Sequence, residues 1–303
     1  MIKRFFSKLG QSQRLNYFIA FFKSAEMSLS SIAVAYYLLL SVFPLFLIIG
    51  NSLPYFNIDI SEILEFMKQY LPEQIYGTIS SVARSLLSQP NTGLLSISVL
   101  AGFWTFSKAL TALQMAFNKA YEVSEHRDII ISRIFSILAG FAILIFLYLA
   151  VTLATFGQMV LERIHASFNF NEILYRNLHN LTVPAVATSV FLALMLLYFI
   201  LPNVRIKKIR YVLPGAVFST FVLVFLTSWI GNYISRSVRQ LADFKIVGSL
   251  LIFALMLWFI FLARVLIFGA ILNAVYQKHR EGEIVTRRGE IVEIIRARRK
   301  PED

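Results

Sequence analysis

The sequence predicts an all-α polytopic membrane protein: a bundle of six transmembrane helices with amphipathic outer-loop helices and both termini in the cytoplasm. Three observations carry that expectation. The chain is 57% hydrophobic and only 15% charged, with a mean hydropathy of +0.68. A soluble domain holds roughly 45–50% apolar and about 25% charged residues, enough to wet its surface. The apolar residues gather into runs long enough to cross a bilayer, which takes about 20 residues each. Lysine and arginine, finally, fall overwhelmingly on one side of those runs.

Residues 1–29 read as an amphipathic cytoplasmic segment. The start, Met1-Ile-Lys-Arg-Phe-Phe-Ser-Lys, is basic, and Arg14 and Lys23 interrupt the apolar residues after it. That pattern does not suit a cleavable signal peptide. It suits a surface-lying helix whose Phe5, Phe6, Leu9, Phe18, Phe21 and Phe22 face lipid. The transmembrane domain is predicted over 30–276, with spans at 30–49, 93–117, 134–160, 181–201, 211–233 and 246–276. Each is apolar on all sides, as a lipid-embedded helix is. The sixth is longer than a bilayer needs, so it tilts or protrudes. The outer loop 51–92 has helical spacing: Asp59 and Glu62 resemble a capping pair, and Ile60, Ile63, Leu64, Met67 and Leu71 recur at helical intervals. Pro72 with Glu73 suits the start of a second helix, with Ile75, Ile79, Val82 and Leu86 on one face. Two helices resting on the outer surface are the simpler expectation, and a lid over a cavity the functional one. A basic cytoplasmic tail, 277–303, is expected to be solvated or to lie against anionic headgroups. No internal repeat supports an inverted-repeat transporter.

The 29 Lys and Arg residues orient this arrangement. Twenty fall in the N-terminal segment, the second-to-third and fourth-to-fifth loops and the tail; seven fall on the other side. Cytoplasmic loops retain such residues, so both termini are placed in the cytoplasm. Topology accounts for most of the formal charge of +12 without any nucleic acid.

The two remaining cations, Lys108 and Arg264, lie within spans. They sit about ten and twelve residues before the cytoplasmic ends of their helices, at a similar depth of roughly 15–18 Å. A charge near the bilayer centre costs from about 2.5 to well over 10 kcal/mol. No Asp or Glu falls well inside any predicted span. Two such cations invite an anion: a lipid phosphate, a sugar phosphate or a carboxylate. Pairing with water or backbone carbonyls, and snorkelling to the interface, are the alternatives. On the anion reading Lys108 and Arg264 line one cavity and bind an anionic headgroup. Ser107, Thr111, Gln114 and Asn118 share a stripe with Lys108, beside Trp104; Thr220, Ser228, Asn232 and Asn273 could also face inward. Small and polar residues hold membrane helices together quite generally, which is their structural alternative. Pro44, near Ser41, kinks the first helix and is a candidate gate.

Other chemistries find no residues. Cysteine is absent, and His126, His165, His179 and His279 lack metal-ligand spacing. There is no phosphate-binding glycine loop and no Gly-x-Ser-x-Gly elbow. An enzyme, a metal, a cofactor and a nucleic-acid partner are therefore not expected.

Several stretches resemble the YihY/virulence factor BrkB family of bacterial inner-membrane proteins. They are Ala33-Val-Ala-Tyr-Tyr-Leu-Leu-Leu-Ser-Val-Phe-Pro-Leu45; Trp104 with Ser107-Lys108-Ala109-Leu110, Asn118-Lys-Ala-Tyr121, Glu125 and Arg127; Leu201-Pro-Asn-Val-Arg205 with Pro214-Gly-Ala216; and Gly269-Ala270 with Leu272-Asn273-Ala274. The chain departs from the family at Ile271, where a glutamate is usual, and at Phe244-Lys245, where Tyr-Gly is usual. The resemblance implies six spans in a bacterial inner membrane. For some members, transport of lipid-linked or other amphipathic anions is suspected; an older ribonuclease label attaches to others. The expectation is a non-enzymatic transporter or flippase-like protein for an anionic amphipathic substrate, with anionic membrane lipids as partners. Its rival is a membrane scaffold or regulator with no transport activity.

Overall fold

The computed structural model describes residues 13–52, 92–123, 172–237 and 244–286, with isolated helical positions between 64 and 145. Nearly all of the predicted third span and of the outer-loop helices, together with Phe5, Phe6, Leu9 and the tail beyond Thr286, lie outside the described residues. The structure is all-helical: among the described residues there are six α-helices and no strand. They are α1 (Gln13–Ser24), α2 (Met27–Ser52), α3 (Thr92–Ala120), α4 (Glu172–Ile200), α5 (Leu213–Ser237) and α6 (Phe244–Glu281), with a 3-10 turn at Ile209–Tyr211. Among the described residues, three stretches are long and apolar enough to cross a membrane: Met27–Ile48, Thr92–Ala120 and Phe253–Glu281. Pro184–Ile200 and Leu213–Leu226 are apolar but shorter.

Two compact units emerge. One comprises residues 1–30, 113–224 and 264–303, the other 31–112 and 225–263. In the second unit, α2 continues through Pro44, which has no N–H to offer the Leu40 carbonyl. Ser41 Oγ donates to the Leu38 carbonyl at 2.6 Å in the same turn. Pro44 itself is buried beside Gly102 of α3: a Cβ built on Gly102 would lie 3.4 Å from Pro44 Cβ and 3.2 Å from Ile48 Cδ1. Gly102 thus lets the two helices approach closely, the usual basis of association where lipid removes the hydrophobic drive. The Ser98, Thr105 and Thr111 hydroxyls of α3 donate to the Leu94, Ala101 and Ser107 carbonyls of the same helix, so they can sit in an apolar helix at little cost. The outward face of α2 carries Ile32, Tyr36, Leu40, Phe43 and Phe46, and that of α3 Ile97, Leu100, Phe103 and Trp104, all exposed. Exposed apolar faces of this extent are those of helices sitting in lipid.

The first unit holds the well-packed core. The α1 helix is amphipathic as expected, but its lipid-facing set is smaller than predicted. Phe21 is buried, and Phe18 stacks on Phe22 and meets Phe268 of α6 edge-on at 5.7 Å. The aromatic spacing serves packing on α6 as well, and only Ile19 and Phe22 remain exposed large apolar residues. Ser24 Oγ donates to the Lys119 carbonyl, and Lys119 pairs with Glu26 at 2.6 Å, joining the end of α1 to the end of α3. Both groups of that ion pair are well exposed, so it contributes little, under about 1 kcal/mol.

Two residues, Glu26 (φ 42°) and Glu122 (φ 52°), take the left-handed conformation just past helix ends. Glycine does this without steric cost, against about 1–2 kcal/mol for other residues. Glycine's own chain entropy opposes part of that gain. Glu122→Gly is therefore expected to leave stability unchanged or raise it by up to about 1 kcal/mol, whereas Glu122→Val lowers it. Thermal unfolding in detergent reads the difference.

Helix α6 runs five residues past the predicted end at Tyr276. Gly282 (φ 77°) closes it, its N–H bonding the Lys278 carbonyl. The start of the tail then docks. Arg205 N donates to the Val285 carbonyl at 2.9 Å, and Val204 and Thr286 form an antiparallel bridge. Val285 and Thr286 are thus paired with the segment after α4, in a tail expected to be solvated or to lie against anionic headgroups.

Candidate functional site

Where α3, α4, α5 and α6 meet in the first unit, part of the resemblance-bearing set comes together, including Asn118, Asn203, Gly215, Gly269 and Asn273. Gln114 and Asn118 lie one turn apart on α3 and so point the same way. Gln114 Nε2 donates to the Leu201 carbonyl at 2.9 Å, and Asn118 Oδ1 accepts from the Asn203 N–H at 2.8 Å. Together they hold the turn just after α4, supplying a donor and an acceptor to backbone that has left its helix. Asn273 of α6 makes the matching contact on α5: its Oδ1 accepts from the Gly215 N–H at 2.7 Å. That N–H belongs to the first turn of α5 and has no partner within the helix, while Pro214 beside it needs none. All three polar side chains are buried.

A hydroxyl network lies alongside. Tyr198 of α4 is fully buried, its hydroxyl 2.7 Å from Ser219 Oγ and donating to the Leu266 carbonyl at 2.9 Å. Phe117 stacks on its ring at 5.3 Å. Gly269 makes room for this pair, since a Cβ there would collide with the Tyr198 hydroxyl and Ser219 Oγ. A Cβ on Gly215 would likewise run into the Gly269 carbonyl. Tyr121, just past α3, is also buried, and its hydroxyl has no hydrogen-bond partner among the described residues. Burial, reinforced by the neighbouring Tyr198 phenol, pushes its pKa above the ordinary tyrosine value, so it stays protonated. Ile271 is fully buried in the same unit, where an apolar side chain packs without needing a partner.

Of the residues expected to bind a substrate, Gln114, Asn118 and Asn273 therefore have protein partners. Asn118→Ala strands the Asn203 N–H and is expected to cost about 1–3 kcal/mol, read as a lower unfolding temperature in detergent. The remaining candidates lie elsewhere. Lys108 belongs to the second unit, half-buried on α3, its Nζ 5.8 Å from the ring centre of Trp104, itself 59% exposed. Ser107 is half-buried next to it, and its carbonyl accepts from Thr111. Arg264 belongs to the first unit and is exposed on α6, continuing the face of Phe253, Leu257 and Phe261. Neither cation has an ion-pair partner among the described residues. The side chains of Ser228 and Asn232 lie outside the described residues. Tyr198 and Ser219 are absent from the sequence-based candidates. A tyrosine inside Leu196-Leu-Tyr198-Phe was the available signal, because a phenol in an apolar helix needs a partner.

Long apolar helices with lipid-suited faces, joined by a polar, glycine-packed core, define an all-helical membrane protein. The profile of the virulence factor BrkB family matches residues 18–290, and the chain belongs to that family. It is 29% identical over 263 residues to YfkH of Bacillus subtilis (strain 168), a protein whose name describes it as ribonuclease-like; the match covers 86% of this chain and 90% of that one. No solved structure matches.

Proposed function

We propose that the protein is a multi-pass protein of a bacterial inner membrane, without enzymatic activity, that moves an anionic amphipathic substrate such as a lipid-linked anion across the bilayer. The observation that carries this reading is the pair of cations, Lys108 and Arg264, each in an apolar helix and each without a carboxylate partner among the described residues. A cation in hydrocarbon is costly, and an anionic ligand offsets the cost. The Trp104 ring, 5.8 Å from the Lys108 ammonium, adds a cation–π contact that helps hold this charge in position. Six spans, with both termini cytoplasmic, agree with the placement of lysine and arginine.

The test is reconstitution. Liposomes containing the purified protein should move labelled anionic lipid between leaflets faster than empty ones, and a zwitterionic lipid should move no faster. A second reading, a membrane scaffold or regulator, draws on the use of Gln114, Asn118 and Asn273 as interhelical clamps. Absence of movement for every anionic lipid tried would favour it.

A further inference from the structure

The short segment between α4 and α5 faces the end of α6 through two tyrosines. Tyr211 and Tyr276 meet edge-on with ring centres 6.0 Å apart. An arginine lies over each: Arg210 Cζ is 5.5 Å from the Tyr211 ring and Arg280 Cζ 5.5 Å from the Tyr276 ring. Both guanidinium groups are thereby held in place while remaining exposed. Lys207 and Lys208 are exposed on the same segment, and Glu281 takes up part of this charge, 3.9 Å from Lys207. Guanidinium groups fixed on aromatic faces suit phosphate, since their planar forks bind it bidentately and little side-chain freedom remains to be lost.

The apolar surface beside the charge identifies the phosphate's carrier. Ile209 is 56% exposed between Lys208 and Arg210. From there an exposed apolar stripe runs down the first turns of α5 through Leu213, Val217 (57%) and Phe221 (68%), one residue per turn. Basic residues at the head of an apolar stripe, with tyrosines at the junction, match the layering of a membrane interface. A nucleic acid would leave that stripe uncovered.

We propose that this face binds an anionic phospholipid, its phosphate held by Arg210 and Arg280 and its acyl chains lying along Leu213, Val217 and Phe221. The assignment holds whether or not the protein moves lipid. The full-length protein in detergent is titrated with phosphatidylglycerol or with phosphatidylcholine of the same chains, and bound lipid is counted by native mass spectrometry. Phosphatidylglycerol should bind more tightly, and the Arg210→Gln/Arg280→Gln variant should lose roughly fivefold per arginine with phosphatidylcholine unaffected. Lys23→Gln, which neutralises an exposed lysine of α1, should change neither lipid. If the double variant does not fold, the two single variants take its place, each with about a fivefold loss. Unchanged affinity in these variants, an equal loss in Lys23→Gln, or no preference for phosphatidylglycerol overturns the proposal. So does a single-stranded RNA oligonucleotide that displaces the lipid and loses affinity in the same variants, which would assign the face to nucleic acid.

Discussion

Gly269→Ala is expected to destabilise the protein by about 1–3 kcal/mol, the cost of overfilling a well-packed interior. The added methyl would sit on the Tyr198 hydroxyl and on Ser219 Oγ, so relief requires breaking the hydroxyl pair or separating the helices. Gly215→Ala meets the Gly269 carbonyl, a backbone atom that cannot rotate away, and should behave alike. Gly102→Ala is the contrasting case. Its methyl would lie 3.2 Å from the flexible tip of Ile48. A small adjustment suffices there, and alanine's better helix propensity, about 1 kcal/mol, offsets it. Unfolding temperatures in detergent should fall clearly for Gly215→Ala and Gly269→Ala and stay close to wild type for Gly102→Ala. A similar fall in all three would mean that the α5–α6 approach has no special tightness.

Lys108→Gln and Arg264→Gln are each expected to slow movement of anionic lipid in liposomes by roughly thirtyfold or more, the low end for removing one side of a desolvated charge pair. The surroundings set the size of the effect. Both residues lie in helices apolar enough to cross a membrane, and a low-dielectric surrounding strengthens the attraction between a cation and an anion. Arg264→Lys keeps the charge and loses the planar fork, so it should retain part of the rate. Unfolding temperatures of the glutamine variants should equal or exceed wild type, because a cation without an ion-pair partner among the described residues is removed from an apolar helix. A rate loss accompanied by an equal loss of folded protein would point to a structural role instead.

Much of the fold was legible in the residues. Helices α2 and α3 extend the predicted spans by only a few residues at either end, because unbroken apolar runs leave no alternative in lipid. Helix α4 begins nine residues early, at Glu172, where polar residues that need not enter the bilayer join the same helix. The polar stripe of α3 was also legible as an interior face, but its partners were not. Gln114 and Asn118 bind backbone at Leu201 and Asn203, 87 and 85 residues distant in sequence, and nothing local distinguishes a backbone partner from a ligand. Gly215 and Gly269 stood out only as parts of motifs; their closeness depends on how α5 and α6 cross. The docking of Val285 and Thr286 on Val204 and Arg205 was hidden for the same reason, since two residues of pairing have no periodicity to read.

The proposed role of Lys108 and of Arg264, that each is reached by an anion from water, has a direct test because the chain contains no cysteine. Single Lys108→Cys and Arg264→Cys variants, in reconstituted membranes, are treated with a small anionic thiosulfonate that cannot enter hydrocarbon. The account predicts that both cysteines are labelled, and that an excess of anionic lipid substrate slows the labelling. Full labelling of a Lys207→Cys control, with no reaction at either intramembrane position, would contradict it.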